Sequence, residues 1–303
     1  MDLLPYPVKR AVHLGARSYR RLTSPARVLP SFLICGGQRC GATWLYRALA
    51  AHPTVLTPTP HPGVHYFDNG YHRGIGWYRA HFPLRRAARR VRAEYGVPAQ
   101  AFESTPYYLY HPHAPARIGD DLPWVRLIVL VRDPVERAYA QFAYARARGW
   151  EPEDSFARAL ESEPERLRGH HDRLARDPFA YSFAHQHRAY RAHGEYVRYL
   201  EAFASYVDRR RILVVDSGLC FTDPAAVYGS VLDFLRLPRL GEPPRRPRTP
   251  RPAPIPEPLR RELAEYYAPW DERLADWLGA PVSWRRQPMS LAGSAEPATW
   301  RRT

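Results

Sequence analysis

Glycines, an arginine, a cysteine and a threonine crowd into residues 36–43, directly after the apolar run that starts at Phe32. A short strand, a glycine-rich turn and a helix start build an anion site, because the turn and the helix N-terminus aim unpaired backbone N–H groups at one point. Gly36, Gly37 and Gly41 permit the tight turn and the close approach of a ligand. The spacing matches a Walker loop in all but its cation: Gly36, four residues, Gly41, then Ala42 and Thr43. A nucleoside triphosphatase or kinase needs lysine where Ala42 stands, which disfavours that class. The turn is expected to cradle phosphate with Arg39 as its cation, and Thr43 either donates its hydroxyl to the same phosphate or caps the helix.

A second cationic turn follows the clearest strand of the chain, Val125–Val131. Arg132, Asp133 and Pro134 break it, with Asp133 suited to cap the next helix and Pro134 to its first turn. Arg132 either contacts a phosphate or pairs with Glu136. His65, with Asp68 three residues on, is a candidate general base, since histidine titrates near neutrality. Glu103, at a strand end, is a second candidate base, and its bland alternative is a buried carboxylate paired with an arginine. Arg137 reads as surface charge, and Cys40 as either a reactive thiol or an inert small residue. Trp44, Trp77, Tyr78, Tyr107 and Tyr108 line an acceptor groove, stack on a base or belong to the core. The histidines around 170, 171, 185 and 187 have no spacing that suits a metal, and no metal is expected.

The elements that must position these groups alternate. Strands are expected at Ser31–Gly36, Ala99–Glu103, Val125–Val131 and Arg211–Val215. Helices are expected at Thr43–Ala51, near Gly76, and at Val135–Arg148, Phe156–Glu163, Glu195–Val207 and Pro224–Leu235, with two final helices at Pro258–Tyr267 and Asp271–Leu278. Residues 164–187 show no clean period, and the proline- and arginine-rich run 238–258 reads as a loop. The expectation is a three-layer α/β/α fold with a central, mostly parallel sheet, P-loop-like in its first turn. Residues 31–288 form the domain, residues 1–30 a basic arm and residues 289–303 a loose tail. Ligands bind beyond the carboxyl ends of such strands, where both cationic turns fall.

The 303 residues carry a formal net charge of +15 and 45% hydrophobic residues, enough for a sizeable core. The charge favours anionic partners. Its arginines are scattered rather than interleaved with stacking aromatics, so no nucleic acid partner is expected. Lys9 is the only lysine, which excludes lysine chemistry from the core unless Lys9 itself reaches it. Three cysteines, Cys35, Cys40 and Cys220, without a CxxC pair point to a reducing, cytoplasmic setting. Neither a signal peptide nor a transmembrane segment is expected.

Gly37–Thr43, the segment Val64–Asp68 continuing through Tyr71–Tyr78 to Pro83, Glu103–Tyr108, Leu130–Tyr139 and Tyr266–Leu274 together resemble the sulfotransferases that use 3′-phosphoadenosine 5′-phosphosulfate (PAPS), in particular the heparan-sulfate-type branch and its bacterial relatives. The resemblance runs in order from about residue 30 to 285. It implies sulfuryl transfer to a hydroxyl or amine of a small molecule, glycolipid or carbohydrate. It also implies a 5′-phosphosulfate loop of Gly37, Gln38, Arg39, Cys40, Gly41, Ala42, Thr43 and Trp44, and a 3′-phosphate ligand in Arg132. Four positions depart from the pattern. The loop lysine falls on Arg39, which keeps the charge and can bind bidentately but is no general acid. The base glutamate falls on Gly63, a second lysine on Ser104, and the 3′-phosphate serine on Ala140. Arg245, Arg246 and Arg248 resemble, by position, a late loop that could reach the 3′-phosphate instead. The departures leave a catalytically inactive nucleotide-binding protein of the same fold as the alternative.

Overall fold

The computed structural model describes residue 15, residues 18–244 and residues 254–285. Arg245, Arg246, Arg248, the tail 289–303 and most of the N-terminal arm lie outside the described residues. Five strands build one sheet: β1 (Phe32–Gly36), β2 (Val55–Leu56), β3 (Gln100–Ser104), β4 (Arg126–Val131) and β5 (Ile212–Asp216). Their order is β2-β3-β1-β4-β5 and every pairing is parallel. β1 is buried at every position and β4 at all but its first. That is the signature of a sheet covered on both faces, and it explains why these strands read as unbroken apolar runs. The P-loop-like α/β expectation holds.

The order places β1 at the point where the chain turns from one half of the sheet to the other. The carboxyl ends of β3, β1 and β4 therefore share one rim. Thr105 N–H, just past β3, donates to the Ile34 carbonyl at 3.0 Å, and Ser217 N–H, just past β5, donates to the Val131 carbonyl at 2.8 Å. The register of β1 against β4 shifts between Ile34 and Gly36, where the chain leaves the sheet for the glycine turn.

Several elements differ from expectation for identifiable reasons. The two final helices are one, Glu257–Leu278, with Pro269 inside. Its buried Leu263, Tyr267, Asp271 and Leu274 hold both halves on one axis, and that packing outweighs a break worth about 3 kcal/mol. Residues 164–187 form three short helical segments. The helix Arg85–Tyr95 buries none of its residues and carries five arginines, so it has no apolar stripe to detect. The helix Ala114–Asp121 and the two-residue β2 were also unexpected. The described end of the N-terminal arm docks on the segment after His65: Ser24 Oγ donates to the Gly76 carbonyl, and Arg27 to the Phe82 carbonyl, both at 2.6 Å.

Candidate functional site

β1 runs straight into the turn 37–41 and the helix Ala42–Ala50. Gly37 has φ +58°, and a Cβ there would lie 1.9 Å from the Leu130 carbonyl oxygen, so only glycine fits. Gly41, the helix N-cap, is also left-handed. Cys40 N–H closes the turn on the Gly37 carbonyl at 3.0 Å. The N–H groups of Gly41, Ala42 and Thr43 and the exposed Thr43 hydroxyl find no acceptor among the described residues. Gln38 Oε1 is buried without a donor among the same residues. Trp44 is core rather than cleft, although its Nε1 donates to the Pro244 carbonyl at 3.1 Å.

Arg39 projects from this turn at φ +67°. Among the described residues only three non-glycines have positive φ: Arg39, His65 and Arg236. Arg236 merely ends a helix. The other two are the residues with the strongest chemical case, and a left-handed non-glycine costs about 1–2 kcal/mol. Strain of this kind concentrates where a side chain must be aimed. The Arg39 guanidinium lies 4.4 Å from the Tyr144 ring centre, and Arg148 covers the same ring at 3.7 Å. Burial lowers the Arg39 pKa, and the nearby Arg148 and Arg132 charges add to it. A crowd of guanidiniums suits a multiply charged anion.

Arg132 follows β4, and its guanidinium reaches Glu136 at 3.5 Å, a loose pair that is half-buried. Glu136 is held more tightly by Arg260 at 2.5 Å. Asp133 caps the helix Pro134–Ala147 by accepting from Val135 N–H at 2.9 Å. Ala140 lies half-buried on this helix, two turns on, and offers no polar group. Tyr196 joins the glycine turn to the turn after β4. Tyr196 donates its hydroxyl to the Arg132 carbonyl at 3.0 Å and contacts Cys40 Sγ at 3.6 Å. Cys40 is fully buried, and burial pushes its thiol up to about 11, so it is an inert packing group. Arg137, read as surface charge, is fully buried beside Tyr110, Tyr196, Tyr267 and Cys40, with one nitrogen donating to the Tyr190 carbonyl.

His65 stands at the start of the segment Tyr66–Gly70. Its Nδ1 meets Asp68 Oδ2 at 2.6 Å, and Asp68 is fully buried while the imidazole is 46% exposed. Burial lowers the His65 pKa, but the Asp68 hydrogen bond and the Asp68 and Glu103 charges outweigh it and raise the value. Asp68 therefore fixes the tautomer and leaves Nε2 available. The ring opens on a cleft of about 390 Å³ lined by Asn69, Phe179, Tyr181, Gln186 and His187. Aromatic contacts link this cleft to the anion turn. His187 lies 4.6 Å from Trp150, Trp150 lies 5.9 Å from Tyr144, and Tyr144 carries Arg39.

Glu103 is 0% exposed and serves as a structural centre. Oε2 accepts from Val64 N–H at 2.8 Å and Thr105 Oγ1 at 2.6 Å, and Oε1 from Tyr78 at 3.0 Å and Tyr108 at 2.7 Å. Burial raises its pKa while those four donors pull it down. Its partners are hydroxyls and an amide, not the expected arginine, and its four acceptor positions are filled. Tyr78 and Tyr108 thus belong to the core, as does Tyr107, which bonds His185 at 2.8 Å. Trp77 is half-buried with Arg73 over its ring. At Gly63 a Cβ would meet the Ser104 carbonyl oxygen at 2.7 Å and Thr105 Oγ1 at 3.0 Å. The position is closed by the rim of β3, so a side chain there has no room.

Tyr144, Arg148, Trp150, Tyr196 and the lining of the His65 cleft carried no recognisable motif. They converge only through the fold, although the aromatic and amide residues of 179–187 were a compositional hint.

The model of the sulfotransferase domain matches residues 29–246. The chain is 31% identical to the human bifunctional heparan sulfate N-deacetylase/N-sulfotransferase 3 over 214 residues, which is 68% of this chain and 22% of that protein. It is 28% identical to the human heparan sulfate glucosamine 3-O-sulfotransferase 6, covering 85% of this chain and 74% of that one. The chain thus spans about a fifth of the bifunctional relatives. Among solved structures, a sulfotransferase from Alicyclobacillus acidocaldarius superposes with a TM-score of 0.63 at 25% identity, over 86% of this chain and all of that one. With a strand, a glycine turn and a second, arginine-bearing turn on one sheet rim, the chain belongs to the sulfotransferase domain family.

Proposed function

We propose that residues 31–288 transfer a sulfuryl group from PAPS to a hydroxyl or amine acceptor. The observation that carries this reading is the aromatic path from Arg39 to the His65–Asp68 pair. It joins an anion turn to a base-lined cleft. The free amides of residues 41–43 and the Arg39 and Arg132 guanidiniums fit the two phosphate-bearing ends of the co-substrate. Bound PAPS supplies the sulfuryl group, whose transfer breaks an S–O bond and leaves its electron pair on the 5′-phosphate.

His65 Nε2 takes the proton of the attacking acceptor, while Asp68 stabilises the imidazolium that results. Arg39 and the turn amides stabilise the charge that grows on the departing phosphate. Arg132 orients the far end of the nucleotide. Tyr196, touching both turns, keeps their spacing and is a positioning residue. The filled hydrogen-bond shell of Glu103 supports a structural role, so His65 is preferred as base over Glu103 and over the vacant Gly63 position. Cys35, Cys40 and Cys220 are buried and not joined in disulfides, which supports the cytoplasmic reading.

The test is calorimetry with 3′-phosphoadenosine 5′-phosphate (PAP) against ATP, followed by turnover with radiolabelled PAPS. PAP should bind in preference to ATP, and Arg132→Ala should weaken it about 10- to 100-fold by removing a charge-assisted contact. His65→Ala should lower kcat about 10²- to 10⁴-fold with PAP affinity kept. Equal preference for ATP would overturn the assignment. PAP binding without turnover on any acceptor would favour the inactive nucleotide-binding alternative.

A further inference from the structure

We propose that the His65 cleft receives an uncharged, hydroxyl-rich ring, a neutral sugar, as the sulfuryl acceptor. The inference rests on the sulfotransferase reading and adds the chemical class of its second substrate.

The first argument is charge. The cleft is lined by two imidazoles, two amides and two aromatic rings, with neither a guanidinium nor a carboxylate among them. His187 is pushed down to about 4 by burial, with His65 and Arg188 adding to it, so it is neutral near physiological pH. Two of the arginines bordering the cleft are spent on backbone carbonyls, while Arg188, whose guanidinium lies 5.3 Å from the Phe183 ring centre, is not among the lining residues. Arg117 donates to Phe67 and Asp68 at 2.9 Å each and to Pro178. Arg173 donates to Tyr181 at 2.6 Å. A polyanionic saccharide would need free cations at the ring that reacts. Five of the arginines behind the net charge of +15 lie on the helix Arg85–Tyr95.

The second argument is an unmet hydrogen bond. Gln186 is only 7% exposed, and its Oε1 has no donor. A buried amide oxygen left in this state costs about 1–3 kcal/mol. The atom is closed to solvent as the side chain stands, so an O–H donor in the cleft reaches it when the amide turns toward the space that Gln186 lines. Sugar hydroxyls are such donors, whereas carboxylates and sulfates only accept and would face Oε1 with like polarity. Asn69 adds a second amide. The third argument is shape. Phe179 and Tyr181, 66% and 47% exposed, place flat apolar faces at the mouth, suited to the apolar face of a ring. Amides to orient hydroxyls and rings to cover carbon, in a cleft of about 390 Å³, fit one small acceptor.

Transfer from radiolabelled PAPS to three acceptors tests the inference: cellobiose, the uronate-bearing polymer N-acetylheparosan, and 4-methylphenol. Cellobiose should give a kcat/KM about tenfold or more above the other two. Gln186→Leu should raise the KM for cellobiose about tenfold, worth 1.4 kcal/mol. It should leave the PAP dissociation constant unchanged and the melting temperature unchanged or higher, because it removes an unsatisfied polar atom. Preference for the polyuronate, preference for the phenol, or no transfer to any of the three while PAP still binds would each overturn the acceptor class. So would a Gln186→Leu protein that loses stability but keeps its cellobiose KM. Failure to bind PAP would strike the sulfotransferase reading itself, and this inference with it.

Discussion

Replacing Asp68 with asparagine isolates the charge of the proposed base pair while keeping its shape. Asp68 Oδ2 lies 2.6 Å from His65 Nδ1 in a buried setting. Asparagine can still accept from Nδ1 through its side-chain oxygen, but the bond falls from charge-assisted, about 1.5–3 kcal/mol, to neutral, about 0.5–1.5 kcal/mol. The difference, about 1.4 kcal/mol, acts on the imidazolium formed in the transition state and corresponds to about tenfold in plateau kcat. The pH dependence gives a sharper signature. Asp68 and Glu103 outweigh burial and hold the His65 pKa above its ordinary value, while His187, the other histidine at the cleft, is neutral and burial raises the Tyr181 phenol above its ordinary value. Wild-type kcat should therefore rise with pH through a histidine limb displaced upward. Asp68→Asn removes the main raising influence, so its limb moves to lower pH. The deficit should then be largest on the alkaline plateau and shrink toward about pH 6, where the wild-type base is partly protonated. The assay is kcat against pH with radiolabelled PAPS, with PAP calorimetry as the binding control. An unshifted acid limb, or an unchanged plateau, would refute the pairing of these residues as a catalytic unit.

Three further outcomes follow from the site. Glu103→Gln sets an NH₂ group against two of the four donors of the cage, and denaturant unfolding should show a loss of about 2 kcal/mol; full stability with abolished turnover would instead make Glu103 the base. Gly63→Ala should cost about 1–3 kcal/mol in the same measurement, because its Cβ meets the Ser104 carbonyl oxygen at 2.7 Å, and wild-type stability would disprove that contact. Cys40, buried with its thiol pushed up to about 11, should resist iodoacetamide in the native protein near neutral pH, as read by intact mass; rapid alkylation at Cys40 would show an open turn.

The parts of the molecule legible in the sequence are those written locally. β4 reads off its apolar run because a strand buried on both faces needs no partner to declare itself. The glycine turn reads off its spacing, and Arg39 and His65 stood out before their backbone geometry set them apart. What sequence could not supply is assembled at a distance. The Glu103 cage draws on Val64, Tyr78 and Tyr108 from separate elements, and nothing in Glu103 itself distinguishes a caged carboxylate from a base. Arg137 looks like any charged residue on a polar helix face until Tyr110, Tyr196 and Tyr267 close over it. Gln186 and Tyr181 sit in a stretch without hydrophobic period, because short segments packed by their ends bury no continuous stripe.

The closed space at Gly63 bears on ancestry. If a glutamate once occupied this position, its loss let the Ser104–Thr105 rim move into the room it left, and a single reversal would now collide with that rim. The route back needs at least two coordinated changes, one to retract the strand end and one to restore the acid. Each alone is harmful or idle. On this reading a chain with the glycine depends on the proposed His65–Asp68 pair, and comparative surveys should find the glycine and a histidine three residues before an aspartate travelling together.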